Sequence, residues 1–96
     1  MKINEITLDY IKNYLRIDDF TEDDNSIQNI MMPAILAYIK SETGLDDDGI
    51  NTKDDLTIAY MILAKEMYDN RNFTVQNDKI NPIVSNILGR YAINLL

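Results

Sequence analysis

The chain has 96 residues with no cysteine and no histidine, which excludes a disulfide framework, thiol chemistry and the commonest general base and metal ligand. A hydrophobic content of 46% is that of a folded protein, and no apolar run approaches the roughly 20 residues of a membrane span. The net charge of −7 is concentrated: residues 18–24 and 46–55 carry five acids each, the remainder sums to +2, and no basic stripe exists to follow a phosphate backbone.

This length corresponds to a single domain over residues 1–96. The opening, "MKINEITLDY", lacks the apolar block of a secretory signal, so an intracellular, soluble protein is expected. The patterning predicts an all-α fold, a small bundle of about four helices with a central third helix.

The first helix is predicted from about Leu8 to Leu15. Thr7 is placed as its N-cap, Ile6 and Ile11 as a hydrophobic staple, and Asp9 in the first turn suits the helix dipole. Leu8, Ile11 and Leu15 face inward.

The second helix is predicted to begin near Thr21–Asp24, a Thr-x-x-Asp capping pattern, and to end at Gly44. Ile27, Ile30, Met31, Ala34, Ile35 and Tyr38 keep the spacing of one buried face. Met32, Leu36 and Ile39 form a second apolar set, roughly 140° away at about 100° per residue. A small monomer buries one stripe easily and two with difficulty. Pro33 falls on the polar side, where it is expected to kink or break the helix.

Thr52 is predicted to cap the third helix, with Asp55 three residues on. Leu56, Tyr60, Leu63 and Met67 form its inner seam, and Ile58, Met61 and Ile62 carry apolar surface most of the way round, which makes this helix central. It ends in "YDNR". Arg71 suits a helix C-terminus, whereas Asp69 opposes the dipole unless paired, with Arg71 the nearest partner in sequence. After a short linker in which only "TV" reads as extended, Asn81 caps a fourth helix with Pro82 at its first position and Gly89 at its end. The tail "RYAINLL" is apolar and unpatterned.

The motifs point away from catalysis. "GLDDDGINTKDD" aligns with a calcium loop if Gly49 takes the sixth position. Gly44 then stands where the first Asp is required and Asp55 where the bidentate Glu belongs, so the stretch reads as a solvated acidic loop. The three glycines are isolated, so no phosphate-cradling loop exists, and the carboxylates lie where solvation keeps them ordinary acids. No catalytic residue, metal site or cofactor is expected, and the chain does not read as an enzyme.

Taken together, "ITLDYIKNYLRID", a helix ending "AYIKSETG", the capped helix "LTIAYMILAKEMYDNR" and the short "NPIVSNILGRY" resemble, in order and spacing, the gp6-like head–tail connector proteins of tailed bacteriophages, described also as putative phage DNA-packaging proteins. The most specific words are "YLRID" at 14–18, "YIKSETG" at 38–44 and "YDNR" at 68–71. The linker after Arg71 is shorter than in many such proteins, and Pro33 interrupts a helix that is expected to be regular. The resemblance implies a structural subunit of a connector ring in the virion neck, docked beneath the portal and extending the DNA channel. It implies a homo-oligomeric ring, a dodecamer being the candidate, with the portal protein and the next connector or tail-completion protein as partners. It also implies host cytoplasm as the place of assembly, with no sequence-specific nucleic-acid binding and no membrane. Under this reading the candidate interface residues are Met32, Leu36 and Ile39, with Tyr68, Asn70 and Arg71, and with Tyr91, Leu95 and Leu96 of the tail. The clustered acids support an alternative, an acidic DNA mimic or regulatory module that binds a basic protein one to one.

Overall fold

The computed structural model describes residues 2–15, 23–69 and 81–91. A 3-10 turn, Ile3–Glu5, opens the chain and is followed by α1 (Leu8–Leu15) and α2 (Asp23–Ser26). A π-helical turn, Ile27–Met31, leads into α3 (Met32–Thr43), and then come α4 (Asp47–Asn51), α5 (Asp54–Asp69) and α6 (Pro82–Gly89). Among the described residues there is no strand, and four helices have eight residues or more.

Local capping sets the boundaries of α1 and α6. Thr7 Oγ1 accepts the Tyr10 N–H at 3.1 Å, and the Thr7 carbonyl accepts the first intrahelical bond, from Ile11. Ile6 and Ile11 are both buried, as the staple requires. Asn81 Oδ1 accepts the Ile83 N–H at 2.8 Å, with Pro82 where its missing N–H costs nothing. Gly44 closes α3 at φ 72°, a conformation that suits glycine, and donates its N–H to the Lys40 carbonyl. The proposed cap at Thr21 lies outside the described residues.

The route from α2 to α3 differs from the even helix the pattern suggests. Pro33 does not break it. The Met32 N–H instead reaches back five residues to the Ile27 carbonyl, so the ladder widens into a π turn immediately ahead of the proline. Each residue of a wider turn rotates by less than the ~100° of an α-helix. Ile30 therefore falls short of the core and is 53% exposed, although its spacing placed it inward. Downstream the same lag brings Ile39 inward, and the buried line becomes Ile27, Met31, Ile35 and Ile39. Thr43 extends that line. Its buried hydroxyl donates to the Ile39 carbonyl at 2.7 Å and accepts the Leu45 N–H at 3.3 Å, so it is satisfied within its own turn.

The acidic stretch 46–55 also differs from a loop. Asp46 Oδ1 accepts the Gly49 N–H at 2.8 Å and caps the short α4. Thr52, expected as the cap of the long helix, instead ends α4, and its hydroxyl donates to the Gly49 carbonyl at 2.8 Å. The long helix starts two residues later.

That helix, α5, is the centre of the molecule and packs against α1, α3, α6 and the N-terminal turn. The predicted seam of Leu56, Tyr60, Leu63 and Met67 is buried throughout, joined by Ala59, Met61 and Ala64. At ~25 cal/mol per Å² of apolar surface, this seam dominates the stability of a small domain. α6 runs antiparallel to α5 and is tied at both ends. Asn81 Nδ2 donates to Glu66 Oε1 at 3.1 Å, and Arg90 Nη1 reaches Asp55 Oδ2 at 2.9 Å.

Candidate subunit interface

The structure divides the second apolar set of the second predicted helix. Met32 and Leu36 stay at the surface, half-buried, and line an apolar groove of about 410 Å³. Its floor is built by Ile3 and Ile6 of the N-terminal turn, Ile50 of α4 and Tyr60 of α5. Gln28, Asn4, Asn51 and Asp47 give it a polar rim. A water's share of liquid volume is about 30 Å³, so this space is far larger than a packing defect. Water along apolar walls gains little, and another protein's side chains would fill the groove more favourably.

Two contacts tie together the elements that wall the groove. The Asn4 N–H donates to Asn51 Oδ1 at 2.9 Å and pins the N-terminal turn to α4, 47 residues away. On the other side, the Lys40 ammonium pairs with the Asp47 carboxylate and ties α3 to α4. Burial at the floor pushes the Tyr60 phenol up to about 12.

Ile39, grouped with Met32 and Leu36 as a candidate contact, belongs to the chain's own core at 0% exposure and has no surface to offer a neighbour. The π turn carried it there. Tyr68 is half-buried and packs against the core at the end of α5. Asn70, Arg71, Leu95 and Leu96 lie outside the described residues, as does the extended "TV". Asp69 has a partner one turn back, Lys65 Nζ at 2.9 Å, which offsets its unfavourable position at a helix C-terminus.

Tyr91 has an intrachain role. Its hydroxyl donates to Asp55 Oδ1 at 2.7 Å and Lys53 Nζ sits 5.8 Å from its ring centroid, so the residue fastens the end of α6 to the start of α5. The bond to Asp55 is the main cause of its raised phenol pKa, followed by partial burial and the Asp55 charge, with Arg90 opposing.

The other apolar surface was not singled out from sequence. Ile58 on α5 and Ile83 on α6 are 54% and 56% exposed. Ile58 belongs to the apolar girdle predicted for α5, but it stays at the surface. Among the described residues no group of Asp and Glu is arranged to hold a metal ion, and no helix is long and apolar enough to cross a membrane. Asp46, at the third position of the calcium-loop alignment, spends its oxygen on a helix cap.

A family model described as phage gp6-like head-tail connector protein matches residues 5–91. No curated protein and no solved structure matches the chain.

Proposed function

The chain belongs to the phage gp6-like head–tail connector family, and from that premise we propose that it is a subunit of a neck ring that docks beneath the portal and extends the DNA channel. The family match across residues 5–91 carries this reading. The groove beside Met32 and Leu36 supports it, because it is preformed apolar surface that a lone small domain has no use for. The role is structural rather than catalytic. The partners are further copies of the chain, with a dodecamer as the candidate ring, the portal on one side and the next connector or tail-completion protein on the other. Assembly takes place in the host cytoplasm, and the subunit ends in the virion neck.

The acidic DNA-mimic reading draws less support. A mimic needs carboxylates displayed at regular spacing to a basic partner. Here Asp46 caps α4, Asp47 pairs with Lys40, and Asp55 holds Arg90 and Tyr91. These acids fasten the chain to itself.

Size-exclusion chromatography with light scattering, with and without the portal protein, tests the proposal. Closed rings or a stable portal complex are expected, visible as annular particles by electron microscopy. A strictly monomeric chain that ignores the portal and binds a basic protein one to one would favour the mimic.

A further inference from the structure

We infer that the π turn at Ile27–Met31 is a phase adjuster: it absorbs one surplus residue, Ile30, and in doing so makes Pro33 tolerable within the helix. The surplus decides which side chains upstream of α3 enter the core and which stay at the surface.

Exposure reveals the offset. In an even α-helix at ~100° per residue, Gln28 lies about 700° before Ile35, within about 20° of its direction, and Ile27 about 80° away. An even helix would therefore aim Gln28 at the core and draw Ile27 out of line. The opposite is found: Ile27 is wholly buried with Met31, Ile35 and Ile39, and Gln28 is exposed. The bond from the Met32 N–H to the Ile27 carbonyl accounts for the reversal, because it spans five residues where an α turn spans four. Gln28, Asn29 and Ile30 lie inside that span and are all exposed. Without Ile30 the same N–H and carbonyl would be four residues apart, an ordinary α bond. Ile27 would then stand seven residues before Ile35, on the buried line.

Two effects hold the surplus in the turn. The first is burial. An even helix of full length would exchange a buried isoleucine for a glutamine, losing apolar burial and leaving an amide to find partners in the core. The second is the proline. In the interior of an even helix Pro33 would lack the N–H for the bond four residues back, and its ring would meet that carbonyl. After the π turn it stands instead in the first turn of α3, where a proline is tolerated.

The offset also shapes the surface. Gln28 and Met32, on either side of the widened turn, both line the groove beside Pro33. Shortening the segment by one residue would move Gln28 to about 120° from Ile35 and away from that rim, while Met32 would keep its place.

The test uses the isolated chain, so its outcome is independent of the ring reading. Deleting Ile30 should leave a helical protein that melts cooperatively at a lower temperature, because Pro33 then sits inside an even helix. Deleting Ile30 together with Pro33→Ala should bring the melting temperature to at least that of the full-length Pro33→Ala chain. Pro33→Ala should therefore raise the melting temperature by more in the shortened chain than in the full one. Ala37 is also exposed but lies in regular α3. Its deletion should abolish the cooperative melt, since it swings Ile39 and Thr43 by about 100° against the line upstream. In full-length Pro33→Ala, NMR coupling across the hydrogen bond should still link the Met32 N–H to the Ile27 carbonyl. Coupling to the Gln28 carbonyl instead would show that the proline alone makes the turn, and would overturn the proposal. Loss of the fold on deleting Ile30 with Pro33→Ala in place would overturn it too, as would equal damage from deleting Ile30 or Ala37, or an equal gain from Pro33→Ala in both chains.

Discussion

Tyr91 and Asp55, 36 residues apart, are joined by a 2.7 Å hydrogen bond in which the phenol donates to one carboxylate oxygen while Arg90 takes the other. This closes α6 over the start of α5 and brings the chain's last described residue to the central helix. Removing the hydroxyl with Tyr91→Phe should cost about 0.5–1 kcal/mol, the net worth of a partly exposed hydrogen bond. Asp55→Ala should cost more, because it takes the acceptor from both Tyr91 and Arg90. A double-mutant cycle in denaturant melts should show coupling between the two positions. Strict additivity would mean that the contact does not hold α6 in place.

The core rests on α5. Leu63 is almost wholly buried in the seam that faces α3 and α6. Leu63→Ala should cost roughly 2–5 kcal/mol, the range for a buried leucine truncation. Since a domain typically has only about 5–15 kcal/mol in all, this change alone endangers folding of a small one. A loss below about 0.5 kcal/mol would place Leu63 outside the core.

Asp46 separates a structural acid from a solvated one. Its carboxylate caps α4, so Asp46→Ala should lower stability by about 0.5–2 kcal/mol. Asp48, exposed on the same short helix, should tolerate alanine with little effect. Equal effects at the two positions in thermal melts would remove the capping role.

Tyr60 gives the molecule a signature at high pH. Its phenol is pushed up to about 12 from an ordinary value of 10, so the folded state holds the proton longer than the unfolded state does. That contribution is fully present below pH 10 and is lost as pH rises from 10 through 12. With about 1.4 kcal/mol per unit, a loss on the order of 1–2 kcal/mol is expected across that window. Tyr60→Phe cannot ionise, so its stability should decline less steeply over the same range. Parallel curves for the two proteins would show that burial at the groove floor does not raise this group.

The elements legible in the sequence are those decided by a few neighbouring residues. Thr7 fixes the start of α1, Asn81 and Pro82 that of α6, and Gly44 the end of α3, each through a bond made within four residues. The central place of α5 was legible because its apolar surface wraps most of the helix. The phase of α3 was not, because a fixed 100° step cannot anticipate the π turn at Ile27–Met31. α4 was hidden because Asp, Gly and Asn in a five-residue run read as loop; the three-residue spacing of Asp46 and Gly49 was its one local signal. Of the candidate interface, Met32 and Leu36 were legible as surplus apolar surface. The groove they line was not, since its walls come from segments far apart in sequence, joined for instance by the Asn4–Asn51 contact across 47 residues.

Leu36 and Ile39 are three residues apart on α3, carry isomeric side chains and were grouped together by spacing, yet one lines the groove and the other is sealed in the core. They therefore give opposite outcomes to the same change. Ile39→Glu buries a charge with no partner, which costs several kcal/mol and should abolish the folded circular dichroism signal. Leu36→Glu places its charge at the groove wall, where the side chain can turn to water in the isolated subunit, so the fold should persist with a modest fall in melting temperature. In an assembled ring that charge would be trapped between subunits, and association should weaken at least tenfold, about 1.4 kcal/mol. A folded Ile39→Glu would return that residue to the surface. A folded Leu36→Glu that assembles as well as the unsubstituted chain would free the groove from any part in the interface.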